Sequence, residues 1–162
     1  MIVSDDDKEV IAFRCTSIYK IEKDPYKLGE ISDPGSRRIK AFNHYGDQRA
    51  KVLEHFNVTE ALHMVALGVN TKHRQRGIAI EMMQAALTMY QYLGVDPLCF
   101  KGQASSNYSK KVYAKTGFQQ FFDVPYVDYV IDGEQVFKNT GVHKSQAWLG
   151  QLLSQDKKAE DV

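Results

Sequence analysis

Hydrophobic positions along the chain follow two spacings, and their order predicts the elements. The run Met64-Val65-Ala66-Leu67-Gly68-Val69 is apolar throughout and has the length of one buried strand. After it, Ile78, Met82, Ala85, Ala86, Met89 and Leu93 recur at helical spacing, and Gly94 follows as a stop. Upstream, residues 10–19 are rich in Val, Ile, Phe and Tyr and predict a strand, with residues 1–3 as its hairpin partner across Asp5-Asp6-Asp7-Lys8. Residues 20–36 carry Pro25, Gly29, Pro34 and Gly35 and read as a loop. Ile39, Phe42, Val52, Leu53 and Phe56 predict one or two amphipathic helices over 37–56, interrupted near Gly46-Asp47.

Downstream, Asp96-Pro97 punctuates, and Leu98-Cys99-Phe100 predicts a short buried strand. Ser105 or Ser106 is placed to cap a helix running to about Thr116, closed by Gly117. Residues 118–130 are aromatic and β-prone, Asp132-Gly133 is a hairpin signal, and Val136-Phe137 is the expected return. Residues 143–153 fit a short helix or a final edge strand. Strand–helix–strand–helix flanked by hairpins predicts an α/β fold with a mixed central sheet. The expected organisation is one domain over 1–154 and a polar tail over 155–162.

Composition narrows the function classes. The 162 residues hold 21 Lys and Arg against 20 Asp and Glu, a net charge of +1, so no broad nucleic-acid-binding face is expected. No apolar stretch nears the ~20 residues of a membrane span, so no membrane partner is expected either. The start is acidic after Val3, unlike a secretory signal, and Cys15 and Cys99 are isolated, without metal-ligand spacing. These features predict a cytoplasmic protein without a metal.

Basic character is local, and it lies where the strand of residues 64–69 hands over to a helix. Lys72-His73-Arg74-Gln75-Arg76 precede Gly77, and the helix opens at Ile78-Ala79. The first N–H groups of a helix have no internal partner and carry the positive end of its dipole. With Gly77 allowing close approach and arginines alongside, residues 74–79 are a candidate pyrophosphate cradle, although no Gly-Lys-Ser/Thr ending of a nucleotide P-loop is present. A solvated basic turn is the plainer account of the same residues.

This order of elements, with Arg74-x-x-Gly77-x-Ala79 followed by Tyr113-Ala114-Lys115-Thr116-Gly117-Phe118, resembles the GNAT acetyltransferases. Ser105-Ser106-Asn107-Tyr108-Ser109, Tyr126-Val127-Asp128-Tyr129, Gly133-Glu134-Gln135-Val136-Phe137-Lys138 and His143 look like the insect arylalkylamine group, and the likeness runs from about Val10 to Leu153. The resemblance implies a GNAT fold and acetyl-CoA as co-substrate, with transfer to a small primary amine by direct attack in a ternary complex. It implies that Arg74, Gln75, Arg76, Gly77, Ile78 and Ala79 bind the coenzyme pyrophosphate. Leu67, Gly68 and Val69 would hydrogen-bond the pantetheine arm, Gly68 marking a bulge, and Ser106 joins the coenzyme-binding set.

Ser105 and Ser109, four apart, are expected to share a helix face, and the resemblance gives them catalytic roles; helix capping is the alternative. Tyr113 is the implied general acid toward the departing thiolate, or else an aromatic packed on the sheet. His143 is implied in the amine pocket, or is a surface residue; His63 is a weaker candidate for a base, and Lys110 and Lys111 for the coenzyme 3′-phosphate. The resemblance also carries a departure: the group places its glutamate base in a segment that precedes the residue matching Met1. A sheet without that first strand is expected to expose an edge and to self-associate through it. An acyl-CoA-binding chain with little catalysis, or an interaction module that keeps the fold, are the other functions considered.

Overall fold

The computed structural model describes residues 1–4, 6, 8–21 and 26–154, so parts of the Asp5–Lys8 turn, Pro25 in the loop and the polar tail lie outside the described residues. In chain order the elements are β1 (Ile2–Val3), β2 (Val10–Lys20), α1 (Pro34–Ala50), α2 (Val52–His55), β3 (Glu60–Val69), α3 (Ile78–Gln91), β4 (Leu98–Ala104), α4 (Asn107–Lys115), β5 (Gln119–Pro125), β6 (Val130–Ile131), β7 (Glu134–Gln135) and β8 (Ser145–Leu153). Six strands form one sheet in the order β1-β2-β3-β4-β8-β5. Every neighbouring pair is antiparallel except β3 and β4, which run parallel.

That parallel pair is short. Its register covers only Leu62↔Phe100, His63↔Lys101 and Met64↔Gly102, whereas β2 stays paired with β3 as far as Val69. From Val65 onward β3 therefore leaves β4, and the sheet opens into a wedge. The cause is a bulge: Cys15 pairs with Ala66 and Thr16 with Met64, so Val65 is the extra residue. Such an insertion bends its strand and increases the local twist. The bulge was expected at Gly68; there the missing Cβ makes room for the Phe13 ring instead, since a Cβ would lie 2.4 Å from Phe13 Cε1.

Strand alternation builds two cores. Leu98 and Phe100 of β4 with Ala147 and Leu149 of β8 face α3 and α4, through Met83, Leu87 and Tyr113. Cys99 and Trp148 point the other way, toward Phe42, Val52 and Leu53 of α1 and α2. On α3 the buried residues are Met83, Ala86 and Leu87, while Ala85, Met89 and Leu93 of the expected face are exposed. Apolar residues nearly encircle this helix, so spacing alone picked the wrong part of it for the core.

Four other expectations change. α1 runs unbroken through Gly46, whose missing Cβ makes room for the Trp148 ring, 2.0 Å from where a Cβ would lie; the chain breaks later, at the left-handed Lys51. β8, read as a helix or an edge strand, lies inside the sheet between β4 and β5, with Trp148 fully buried. The Asp132-Gly133 turn joins β6 to Glu134–Gln135 rather than to Val136-Phe137. Asp33 caps α1 by accepting from Ser36 N at 2.6 Å, so the helix starts inside the expected loop. Among the described residues no helix is long and apolar enough to cross a membrane.

Candidate functional site

α3 follows β3 and α4 follows β4, and both pack on the same sheet face. Parallel strands followed by helices bring both helix N-termini to the strands' carboxyl ends, which is the usual ligand crevice of such units. Here that end is also where the wedge opens.

The corner at residues 74–79 is exposed over Arg74, Gln75, Arg76 and Gly77. Two left-handed residues, Gln75 (φ 62°) and Gly77 (φ 83°), swing the chain into the helix. The amides of Ile80 and Glu81 donate to Gly77 O at 2.9 and 3.1 Å, so those of Ile78 and Ala79 precede the first helical hydrogen bond. Arg74 Nε donates to Val69 O at 3.0 Å, tying the corner to the end of β3, and Arg76 Nη1 lies 3.2 Å from His73 Nδ1. Backbone amides and two guanidinium groups meet at this corner, the kind of arrangement that suits an anion. Leu67, Gly68 and Val69 lie on the part of β3 that β4 no longer accompanies, which gives an extended ligand an open strand edge.

Tyr113 stands at the apex of the wedge. Its ring is buried, its hydroxyl donates to Met64 O at 3.5 Å, and a Cβ on Gly102 would lie 2.3 Å from that hydroxyl. Met64 and Gly102 are the last residues paired across β3 and β4, so the phenol sits where the strands part. Burial holds the phenol well above its ordinary pKa, opposed by the Arg14 guanidinium.

Ser106, not Ser105, caps α4. Ser109 N donates to Ser106 Oγ at 3.0 Å and Ser106 N to Ser109 Oγ at 3.1 Å, with the two hydroxyls 2.9 Å apart. The expected common face of Ser105 and Ser109 is therefore not formed, because Ser105 precedes the helix; its carbonyl accepts from Tyr126 Oη at 2.7 Å. Ser109 and Tyr113, both within α4, do share a face. His143 joins the group from the chain before β8. Its Nδ1 accepts from Asn107 N at 3.3 Å, which leaves Nε2 to carry the proton. Lys110 is bound to Asp123 and Ser145 and so is not free for a phosphate, while Lys111 is exposed.

On the opposite face lies a buried polar group that sequence reading missed. Lys101 Nζ meets Asp47 Oδ2 at 2.6 Å, with Lys101 2% exposed. Tyr26 Oη donates to the same carboxylate, and Gln103 Nε2 lies 3.3 Å from Asp47 Oδ1 and 3.2 Å from Tyr26 Oη. Lys101 Nζ is also 3.5 Å from the Tyr19 ring centroid. The available signal was the alternation Cys99, Lys101, Gln103, visible once the strand is extended past Phe100.

His63, beside Lys101 in the register, has a buried Nε2 without a hydrogen-bond partner among the described residues, and burial with the Lys101 cation lowers its pKa to about 4. The folded value lies below the ordinary 6.5, so the unfolded chain binds this proton more readily. Stability from neutral His63 is full above about pH 6.5 and is lost as pH falls toward 4. Urea unfolding across that window should show it, and His63→Gln should flatten the acid limb; an equally steep limb in the variant would contradict this. Among the described residues no group of three or more His, Cys, Asp or Glu could hold a metal. Cys15 and Cys99 are free thiols.

No protein-family model matches the chain. Among solved structures, arylalkylamine N-acetyltransferase 2 from Aedes aegypti superposes with a TM-score of 0.82 at 22% identity, over 93% of this chain and 70% of that one. The Drosophila melanogaster polyamine N-acetyltransferase, an enzyme that forms N-acetylagmatine, gives 0.77 at 20% identity, over 91% and 71%. Arabidopsis thaliana NAA60 in complex with acetyl-CoA gives 0.50 at 14% identity, over 93% and 70%. A six-stranded mixed sheet, parted between its parallel strands and flanked by helices, gives this chain the GNAT fold, similar to that of the insect arylalkylamine and polyamine N-acetyltransferases.

Proposed function

We propose that this protein is an acetyl-CoA-dependent N-acetyltransferase that acetylates a small primary amine, an arylalkylamine such as dopamine, serotonin or a tyramine-like compound. The observation that carries the reading is the wedge between β3 and β4, with Tyr113 at its apex and a basic helix N-terminus at its mouth. Residues Arg74 to Ala79 hold the pyrophosphate and the free edge at Leu67 and Val69 holds the pantetheine amides. Acetyl-CoA supplies a thioester carbonyl activated for attack.

An alkylamine with the pKa of a lysine is neutral only about one part in a thousand near pH 7.4, so attack needs a proton acceptor. An amide of β3 at the bulge is suited to the developing oxyanion, and Tyr113 to protonating the thiolate. Ser105, Ser109 and His143, gathered at the start of α4, line the amine side of the wedge in this reading. The cradle is tested by isothermal titration: Arg74→Ala with Arg76→Ala should weaken coenzyme A binding roughly 10- to 100-fold, as charge-assisted hydrogen bonds contribute ~1.5–3 kcal/mol. Unchanged affinity sinks the reading.

A second reading, coenzyme A binding with little turnover, is favoured by the state of the acid–base groups behind the wedge. Asp47 is committed to Lys101, and His63, with its pKa near 4, is a poor acceptor at neutral pH. Assays with dopamine, serotonin and agmatine separate the two, since the second reading keeps coenzyme binding and yields no acetylamine.

A further inference from the structure

One charged group on the α3 side has no use in the account above. Arg14 of β2 donates from Nη1 to Thr16 Oγ1 at 3.0 Å, and its guanidinium carbon lies 5.9 Å from the centroid of the Tyr90 ring of α3. Its Nε and Nη2 are buried and find no acceptor among the described residues. Those two nitrogens form the side edge of the guanidinium, the fork that meets an anion with two parallel N–H bonds. A buried cation with its fork unpaired is costly, so an anion formed nearby is strongly favoured.

A buried group able to become one, and on which the Arg14 cation bears, is Tyr113. Thr16, which anchors the guanidinium, pairs with Met64, whose carbonyl accepts from the Tyr113 hydroxyl. Guanidinium, strand carbonyl and phenol are thus linked across β2, β3 and α4. Tyr113 packs otherwise against neutral groups: Met64 of β3, Phe100 and Gly102 of β4, and Phe118 after α4. Among the described residues Arg14 is the charged side chain whose field bears on this phenol, and it acts against the effect of burial.

We infer that Arg14 is a positioning residue for Tyr113, its cation stabilising the phenolate that remains when this tyrosine gives its proton to a departing thiolate. The inference rests on the acetyl-transfer reading. In the step, the carbon–sulfur bond of the tetrahedral adduct breaks and sulfur keeps the electron pair. The proton of the Tyr113 hydroxyl then forms the thiol, and the phenolate keeps its own pair beside Arg14. The surplus proton on the acylated nitrogen returns to the phenolate, so amine and thioester become amide and thiol with no net proton change.

The test places 3,5-difluorotyrosine at position 113, which lowers the phenol's titration into an accessible range, and follows it by fluorine NMR. Arg14→Met should raise the midpoint by about one unit or more, a tenfold loss of phenolate stabilisation, and Arg14→Lys should restore most of it. Arg14→Met should also keep or raise the melting temperature, since it removes an unpaired buried charge, while lowering kcat about tenfold and leaving KM for acetyl-CoA unchanged. A midpoint that stays put in Arg14→Met overturns the inference, as does a loss of stability with kcat unchanged. The midpoint reports the coupling whether or not the chain turns over, so absence of acetylation by the unsubstituted chain overturns the functional reading alone.

Discussion

Tyr113→Phe is expected to lower kcat for acetyl transfer by roughly 10²–10⁴-fold, the usual effect of removing a placed general acid. The fold should hardly notice. The ring is buried among Met64, Phe100 and Phe118, and phenylalanine keeps those contacts. The hydroxyl itself makes one long hydrogen bond, 3.5 Å to Met64 O, so its loss should cost no more than about 1 kcal/mol of stability. KM for acetyl-CoA should stay near that of the parent chain, because the coenzyme is held by the corner at residues 74–79 and the edge of β3. Steady-state kinetics with a thiol-release assay, alongside a thermal melt, measures all three. A kcat within threefold of the parent would leave Tyr113 as a packing residue and return the proton to solvent.

Asp47→Ala should be the most destabilising single change considered, by about 3–5 kcal/mol. It leaves Lys101, 2% exposed, without its carboxylate, and takes away the acceptor that Tyr26 and Gln103 share. Burial lowers the pKa of Lys101 and Asp47 opposes that shift, so without the carboxylate the lysine is driven further toward its neutral form. At this chain length each 1 kcal/mol moves the melting temperature by roughly 2–4 °C, giving an expected drop of about 6–20 °C. Asp47→Leu combined with Lys101→Met should recover most of the loss, since well-packed apolar residues commonly replace a buried ion pair without harm. A single variant that melts within 2 °C of the parent would show that water reaches the pair.

The two segments that carry the candidate chemistry were readable because each joins a local rule to a motif. Residues 64–79 hold an apolar run, a basic turn and a glycine before a helix, and the structure has β3, an exposed basic turn and α3 there. Residues 105–117 hold a serine cap, a helical stretch and a closing glycine, and α4 lies over 107–115. What local rules could not resolve was which of two equivalent neighbours acts. Ser105 and Ser106 are both sound caps in sequence, and only the path of the chain out of β4 puts Ser106 at the N-cap. The expected face of α3 was wrong in part for a similar reason, as apolar residues nearly surround the helix.

By itself, then, the chain of residues determined most of the elements and their order, the exposed basic turn before α3 and the mixed sheet, since these follow from nearest-neighbour chemistry and periodicity. Tertiary structure alone decided where the sheet parts, because the bulge at Val65 is a mismatch between two strands and belongs to neither. It also decided the interior place of β8 and the Asp47–Lys101 pair. The ion pair joins residues 54 positions apart, and the place of β8 depends on which strand lies beside which. Such contacts arise from burial and packing across the sheet, which no local pattern encodes.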